Sequence, residues 1–243
     1  MSALASLFPQ AGYSFGGALE FIFNEQTSNV TGGNKVGGFD QVLELSLAQI
    51  EVSILALLLA MLIALPIGLY FGHRGTGEFA AVAIGNAGRA IPELALVALV
   101  ALVIGVGTGT LVLVLAVLGI PPILTNVFVG IRQVDRGSVD AARGSGMTEF
   151  QVLRKVELPL AAASIMQGVR GASVNIIATA TIAPLVGVAT LGEFILGENV
   201  YGENGVLAGA ICTAVIALIF EFGLAALQKR LTPKGIKLQQ ATN

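Results

Sequence analysis

Two ionisable side chains, Arg89 and Glu93, stand four residues apart in an otherwise apolar run, with Pro92 between them. Four residues is about one helical turn, so both fall on one helix face. Charge inside a membrane-spanning segment is costly and is retained for function or for an internal pair. The spacing serves either use: a pair that neutralises both groups, or the lining of a polar pathway. Asn175, Thr179 and Thr181 form a second set of intramembrane polar residues, of a kind that bonds helix to helix. Together the five are the candidate pathway or intramembrane polar residues. Covalent or acid–base chemistry has little to work with. His73 is the only histidine, sits beside Arg74 at the end of an apolar run, and reads as an interface residue. Cys212 is the only cysteine and reads as a small buried hydrophobe. The sequence has no G-x-x-x-x-G-K-[ST] and no H-E-x-x-H. No catalytic residue and no metal ligand is assigned.

The elements that must position these groups follow from composition. Hydrophobic residues make up 55% of the 243 and charged residues 12%, with a mean hydropathy of +0.84. A water-facing domain carries about 25% charged residues, so the chain reads as an all-α polytopic membrane protein. About 20 apolar residues cross the hydrocarbon core. Residues 52–72 carry no charge and give a first span near 48–72. Residues 94–131 are also uncharged, and as one helix would reach about 57 Å. Glycines at 105, 107 and 109 place a turn in that run, with spans near 80–104 and 110–131. The uncharged run 171–192 supplies a fourth span, entering at about 164. Residues 204–220 supply most of a fifth, ending near Lys229. About five transmembrane helices result. Ahead of them, residues 1–41 form an N-terminal segment with a short interfacial helix expected over 16–24 and a loop over 27–38. The transmembrane domain runs over 42–230 and a tail over 231–243.

Lys and Arg orient the bundle. One set of connections carries Arg74, Arg132, Arg136, Arg143, Arg154, Lys155, Lys229, Arg230, Lys234 and Lys237; the other carries only Lys35. Positive charge marks the cytoplasmic side, so the N-terminal segment is expected outside and the C-terminal tail inside. Membrane lipid is the expected surroundings, and nothing points to nucleic acid. The longest cytoplasmic connection, 133–163, has a grammar of its own. Asp140-Ala141-Ala142 is followed by Gly146, then by Val156-Glu157-Leu158-Pro159. That spacing predicts a short helix, a glycine break, a second short amphipathic helix and a proline stop.

This connection resembles the EAA loop of ABC-importer permeases, whose pattern is E-A-A-x3-G-x9-I-x-L-P. Asp140, Ala141, Ala142, Gly146, Val156, Leu158 and Pro159 keep every interval, with Asp for the leading Glu and Val for Ile. Residues 88–196 are similar to the permeases of glycine betaine, carnitine and choline importers. The similarity is carried by Ala90-Ile91-Pro92-Glu93-Leu94-Ala95-Leu96, by Gly130-Ile131-Arg132-Gln133-Val134-Asp135, by the loop, and by Ala178-Thr179-Ala180-Thr181-Ile182-Ala183 running to Leu191-Gly192-Glu193-Phe194-Ile195. Arg89 and Glu93 depart from it, standing where the family usually has small polar residues.

The resemblance implies a transmembrane permease subunit of an ATP-driven importer in a bacterial plasma membrane, with osmoprotectants as solutes. It implies a second permease subunit, identical or paralogous, a dimer of ATP-binding cassette ATPase subunits gripped by the loop, and an extracytoplasmic substrate-binding protein. ATP and Mg belong to the partner ATPase, and this chain needs no cofactor. Ala141 and Ala142 are expected to allow close approach, with Arg143, Arg154 and Lys155 fixing register. The same machine importing another small solute such as an amino acid is the nearest alternative; a self-contained channel or membrane enzyme is the more distant one.

Overall fold

A computed structural model describes residues 14–28, 30, 33–77, 83–85 and 90–232. Helix α1 (Phe15–Phe23) is capped by Ser14 and leads into a hairpin of β1 (Glu25–Thr27) and β2 (Lys35–Gly37). The strands are antiparallel, with Gln26 opposite Val36 and a Lys35–Glu25 ion pair of 2.8 Å across them. Hairpin strands thus occupy part of the stretch that composition reads as loop. Nor does α1 simply lie at an interface. Phe23 is exposed, but Phe21 is fully buried and meets Phe194 edge-on at 5.2 Å.

The bundle proper begins with α2 (Gly38–Arg74), followed by α3 (Glu93–Ile104) and α4 (Thr108–Arg132). Next come α5 (Arg136–Gly144) and α6 (Glu149–Val152). A wide turn at Leu153–Glu157 leads into α7 (Leu158–Thr179) and a tight helical stretch at Ala180–Val186. Short α8 (Gly192–Leu196) and long α9 (Glu198–Leu231), kinked where Gly202 has φ 69°, complete the chain. Among the described residues four helical segments are long and apolar enough to cross a membrane: Gly38–Arg74, Thr108–Arg132, Glu149–Val186 and Glu198–Leu231. The second expected span, 80–104, is represented by α3, a shorter apolar helix; part of that span, with Arg89, lies outside the described residues, as does the tail beyond 232. The glycine turn between α3 and α4 falls where expected, with Gly105 at φ 91° and Gly107 at φ 128°.

Small residues let α2, α4 and α7 approach closely, as helices do where lipid offers no hydrophobic drive to associate. Ala56, Ala60, Ala64, Gly68 and Gly72 recur every four residues along the buried face of α2. A Cβ on Gly68 would come within 2.8 Å of Val127, and one on Gly72 within 2.9 Å of Ile131. The Gly68–Gly72 pair therefore seats α4. Past Thr179 the chain turns back sooner than a span to 192 would allow. Thr190 donates to the Ala180 carbonyl at 3.1 Å, and Leu191 is fully buried.

Candidate functional site

Polar residues gather in two places, a loop at one end of the bundle and a cavity within it. In the loop, Asp135 caps α5, accepting from the Ser138 N–H at 2.7 Å and the Ser138 hydroxyl at 2.9 Å. Those bonds hold its carboxyl below the usual range. The helix ends in a Schellman motif: Gly146 N–H reaches the Arg143 carbonyl at 2.9 Å and Met147 N–H the Ala142 carbonyl at 3.2 Å. Gly146 has φ +82° and open space where a Cβ would stand, so the backbone, not crowding, demands glycine. Thr148 and Gln151 then form a reciprocal capping box that starts α6.

Pro159 does not stop a helix. It sits in the first turn of α7, and the run continues through it. The ring would collide with the carbonyl four residues back in a regular helix. The wide turn at Leu153–Glu157, where Leu158 N–H bonds back to Leu153, absorbs that conflict.

The structure divides the motif between two faces. Ala142 is buried with Val139 and Val152, and Val156 and Leu158 pack against the same core. Asp140, Ala141 and Gly146 face outward, beside exposed Met147 and Phe150. Only Ala141 of the two alanines is free to allow close approach by a partner. Arg154 and Lys155 are exposed. Arg143 instead turns both arms onto Glu149, at 3.0 Å each, and touches Asp140 at 3.7 Å. The guanidinium holds the Glu149 carboxyl below its ordinary value, and Glu149 in turn raises Arg143. Composition gave no reason to single out Phe150; an aromatic in the most polar connection was the available signal.

His73, in the last turn of α2, joins this loop to the bundle. Its Nε2 lies 3.1 Å from Glu149 and its Nδ1 2.5 Å from Glu157. Glu157 is only 1% exposed. The interface assigned to His73 is thus between a long apolar helix and the loop.

Inside the bundle, Glu93 in the first turn of α3 accepts from the Thr179 hydroxyl at 3.0 Å. Glu93 and Asn175 line a cavity of about 400 Å³ whose other walls include Leu118, Pro121, Pro122 and Gly171. Thr181 instead returns its hydroxyl to the Ala178 carbonyl at 2.7 Å. Arg170 and Glu221 pair with each other between α7 and α9, and Arg170 also donates to Gln228 at 2.6 Å. Among the described residues no group of three or more His, Cys, Asp and Glu is placed to hold a metal.

Closely packed apolar helices thus carry one capped helix–glycine–helix loop, clamped to the end of α2 through His73. Residues 56–233 match the family described as binding-protein-dependent transport system inner membrane component, and the chain belongs to that family. It is 36% identical over 187 residues to the carnitine transport permease protein OpuCB of Listeria monocytogenes, covering 76% of this chain and 86% of that one. It is 33% identical to the choline transport system permease protein OpuBB of Bacillus subtilis, covering 77% and 87%. In fold it matches the MetNI methionine ABC transporter in an inward-facing form, with a TM-score of 0.68 and 20% identity over 80% of this chain and 98% of that one. The protein is a multi-pass permease component of an ABC importer.

Proposed function

We propose that this permease imports osmoprotectants bearing a methylated ammonium group: glycine betaine, carnitine or choline. The observation that carries the reading is its 32–39% identity, over most of their lengths, to permeases named for those solutes. Two permease subunits enclose the path, and a substrate-binding protein delivers solute from outside. The loop, capped at both ends and presenting Ala141, Met147 and Phe150, docks on a separate ATPase that holds ATP and Mg. Ten cations on the loop side of the bundle support a cytoplasmic loop and tail and an outer N-terminal segment.

Co-purification followed by uptake tests this. A tagged chain brings down an ATP-hydrolysing subunit, and proteoliposomes of the assembly accumulate labelled glycine betaine, carnitine or choline only with ATP inside the binding-competent complex. Uptake of an amino acid and of none of the three overturns the solute assignment. Full transport without an ATPase overturns the coupling.

A further inference from the structure

We infer that the cavity beside Glu93 is a station on the solute's path that takes a methylated ammonium head, with the Glu93 carboxylate as counter-charge; the inference rests on the solute class proposed above. The cavity lies deep. Leu118 and Pro122 are 10 and 14 residues past the start of α4 (118 − 108 and 122 − 108), about 15 and 21 Å along a 25-residue helix. A carboxylate at that depth is expensive, and the fold does not need its charge, since a glutamine would accept equally from Thr179.

The remaining walls select among cations. A primary ammonium donates three hydrogen bonds and needs acceptors for each. A methylated ammonium donates few or none and presents apolar surface around a diffuse charge. Ile91, Leu118, Pro121 and Pro122 supply apolar wall, and Glu93 supplies the opposite charge. Among the described residues no aromatic side chain contributes to the wall, so the hold they supply is weak, as a site that must release its occupant requires.

The cavity also opens toward a partner. Gln167, Gly171 and Asn175 are exposed at four-residue intervals along α7, and Gly171 and Asn175 line the cavity. That face is where a second permease subunit closes the path.

The test uses the full chain in lipid nanodiscs and saturation-transfer NMR with choline as the probe. The neutral isostere 3,3-dimethylbutan-1-ol is the control. Choline methyl protons give a signal in the wild type and the isostere does not. E93Q weakens the signal about fivefold or more through loss of one charge pair. G171L abolishes it, because the added side chain fills the cavity and its Cβ meets nothing within 4 Å. An unchanged choline signal in E93Q, or equal signals from choline and the isostere, overturns the station. Choline binding that depends on Glu93 in a protein that imports none of the three solutes leaves the station standing and removes the solute assignment instead.

Discussion

The polar loop and the membrane cavity are both made from a few polar side chains, yet they are closed in opposite ways. In the loop, partners are near in sequence: Asp135 with Ser138, Arg143 with Glu149, Thr148 with Gln151. In the cavity, Glu93 finds Thr179, 86 residues away. A structure closed by its own neighbours keeps its shape when pushed. A space walled by three helices changes shape whenever one of them moves. On the coupling proposed above, the loop is the lever and the cavity the load, and His73 joins the loop to α2.

The largest expected effect breaks the lever where it meets its partner. Ala141→Glu places a charge on the outward face of α5 without touching Val139, Ala142 or Val152 beneath it. Uptake is expected to fall about a hundredfold, equivalent to about 2.7 kcal/mol of docking free energy, while the protein stays abundant in the membrane. Gly146→Asp acts through φ instead and adds about 1 kcal/mol of backbone strain; it should also release the ATPase in pull-downs. Normal uptake by an abundant Ala141→Glu variant would show that this face docks nothing.

A second test works from the membrane side. Arg170→Ala leaves Glu221 between α7 and α9 without its charge partner; both side chains are about a quarter exposed, so the cost is about 2 kcal/mol, below that of a fully buried pair. Thermal stability in detergent should drop and the protein accumulate poorly. The double change Arg170→Met with Glu221→Met should recover most of the loss, because no lone charge remains. Equal instability of single and double variants would mean that the pair matters for something other than charge compensation.

The joint should give an intermediate effect. His73→Ala leaves the buried Glu157 carboxylate without the ring, whereas Glu157→Gln keeps an acceptor for it. Uptake per ATP hydrolysed is expected to fall about tenfold, or about 1.4 kcal/mol, in the first variant and much less in the second. A purely structural role would lower melting temperature and leave that ratio alone, so the ratio decides.

The same contrast accounts for what could be read from the sequence. Asp140, Ala141, Ala142, Gly146, Leu158 and Pro159 announce the loop because caps, glycine breaks and prolines act over a few residues. The glycine turn before α4 was legible for the same reason. What failed was the reading of Pro159 as a stop, since a wide turn upstream absorbs its ring, and of residues 187–192 as continuing span. The pairing of Arg170 with Glu221 was not legible, because 51 residues separate them. Composition marked Glu93 and Thr179 as intramembrane polar residues. Only the packing of α3 on α4 and on the Ala180–Val186 stretch that follows α7 brings them together.

The smallest expected effect concerns the bond that most looks functional. Arg143 and Glu149 are joined by two 3.0 Å contacts but are exposed, and exposed pairs are screened by salt and contribute little. Glu149 has a carboxyl held below its ordinary value, first by the Arg143 hydrogen bond. A group depressed in the folded state contributes stability that is present above its unfolded value, about 4.3, and is lost as pH falls through the lower folded value. Asp135, depressed by Ser138, has the same sign. The loop should therefore keep its shape between pH 8 and about 5 and loosen only in stronger acid. Nitroxide labels at Gly144 and Lys155, in a Cys212→Ser background, would report that distance by electron resonance. Arg143→Gln should leave it nearly unchanged at neutral pH, since the Schellman turn and the capping box remain. A loop that opens in Arg143→Gln, or on titration from pH 8 to 6, would mean that surface charge and not backbone capping makes the lever rigid.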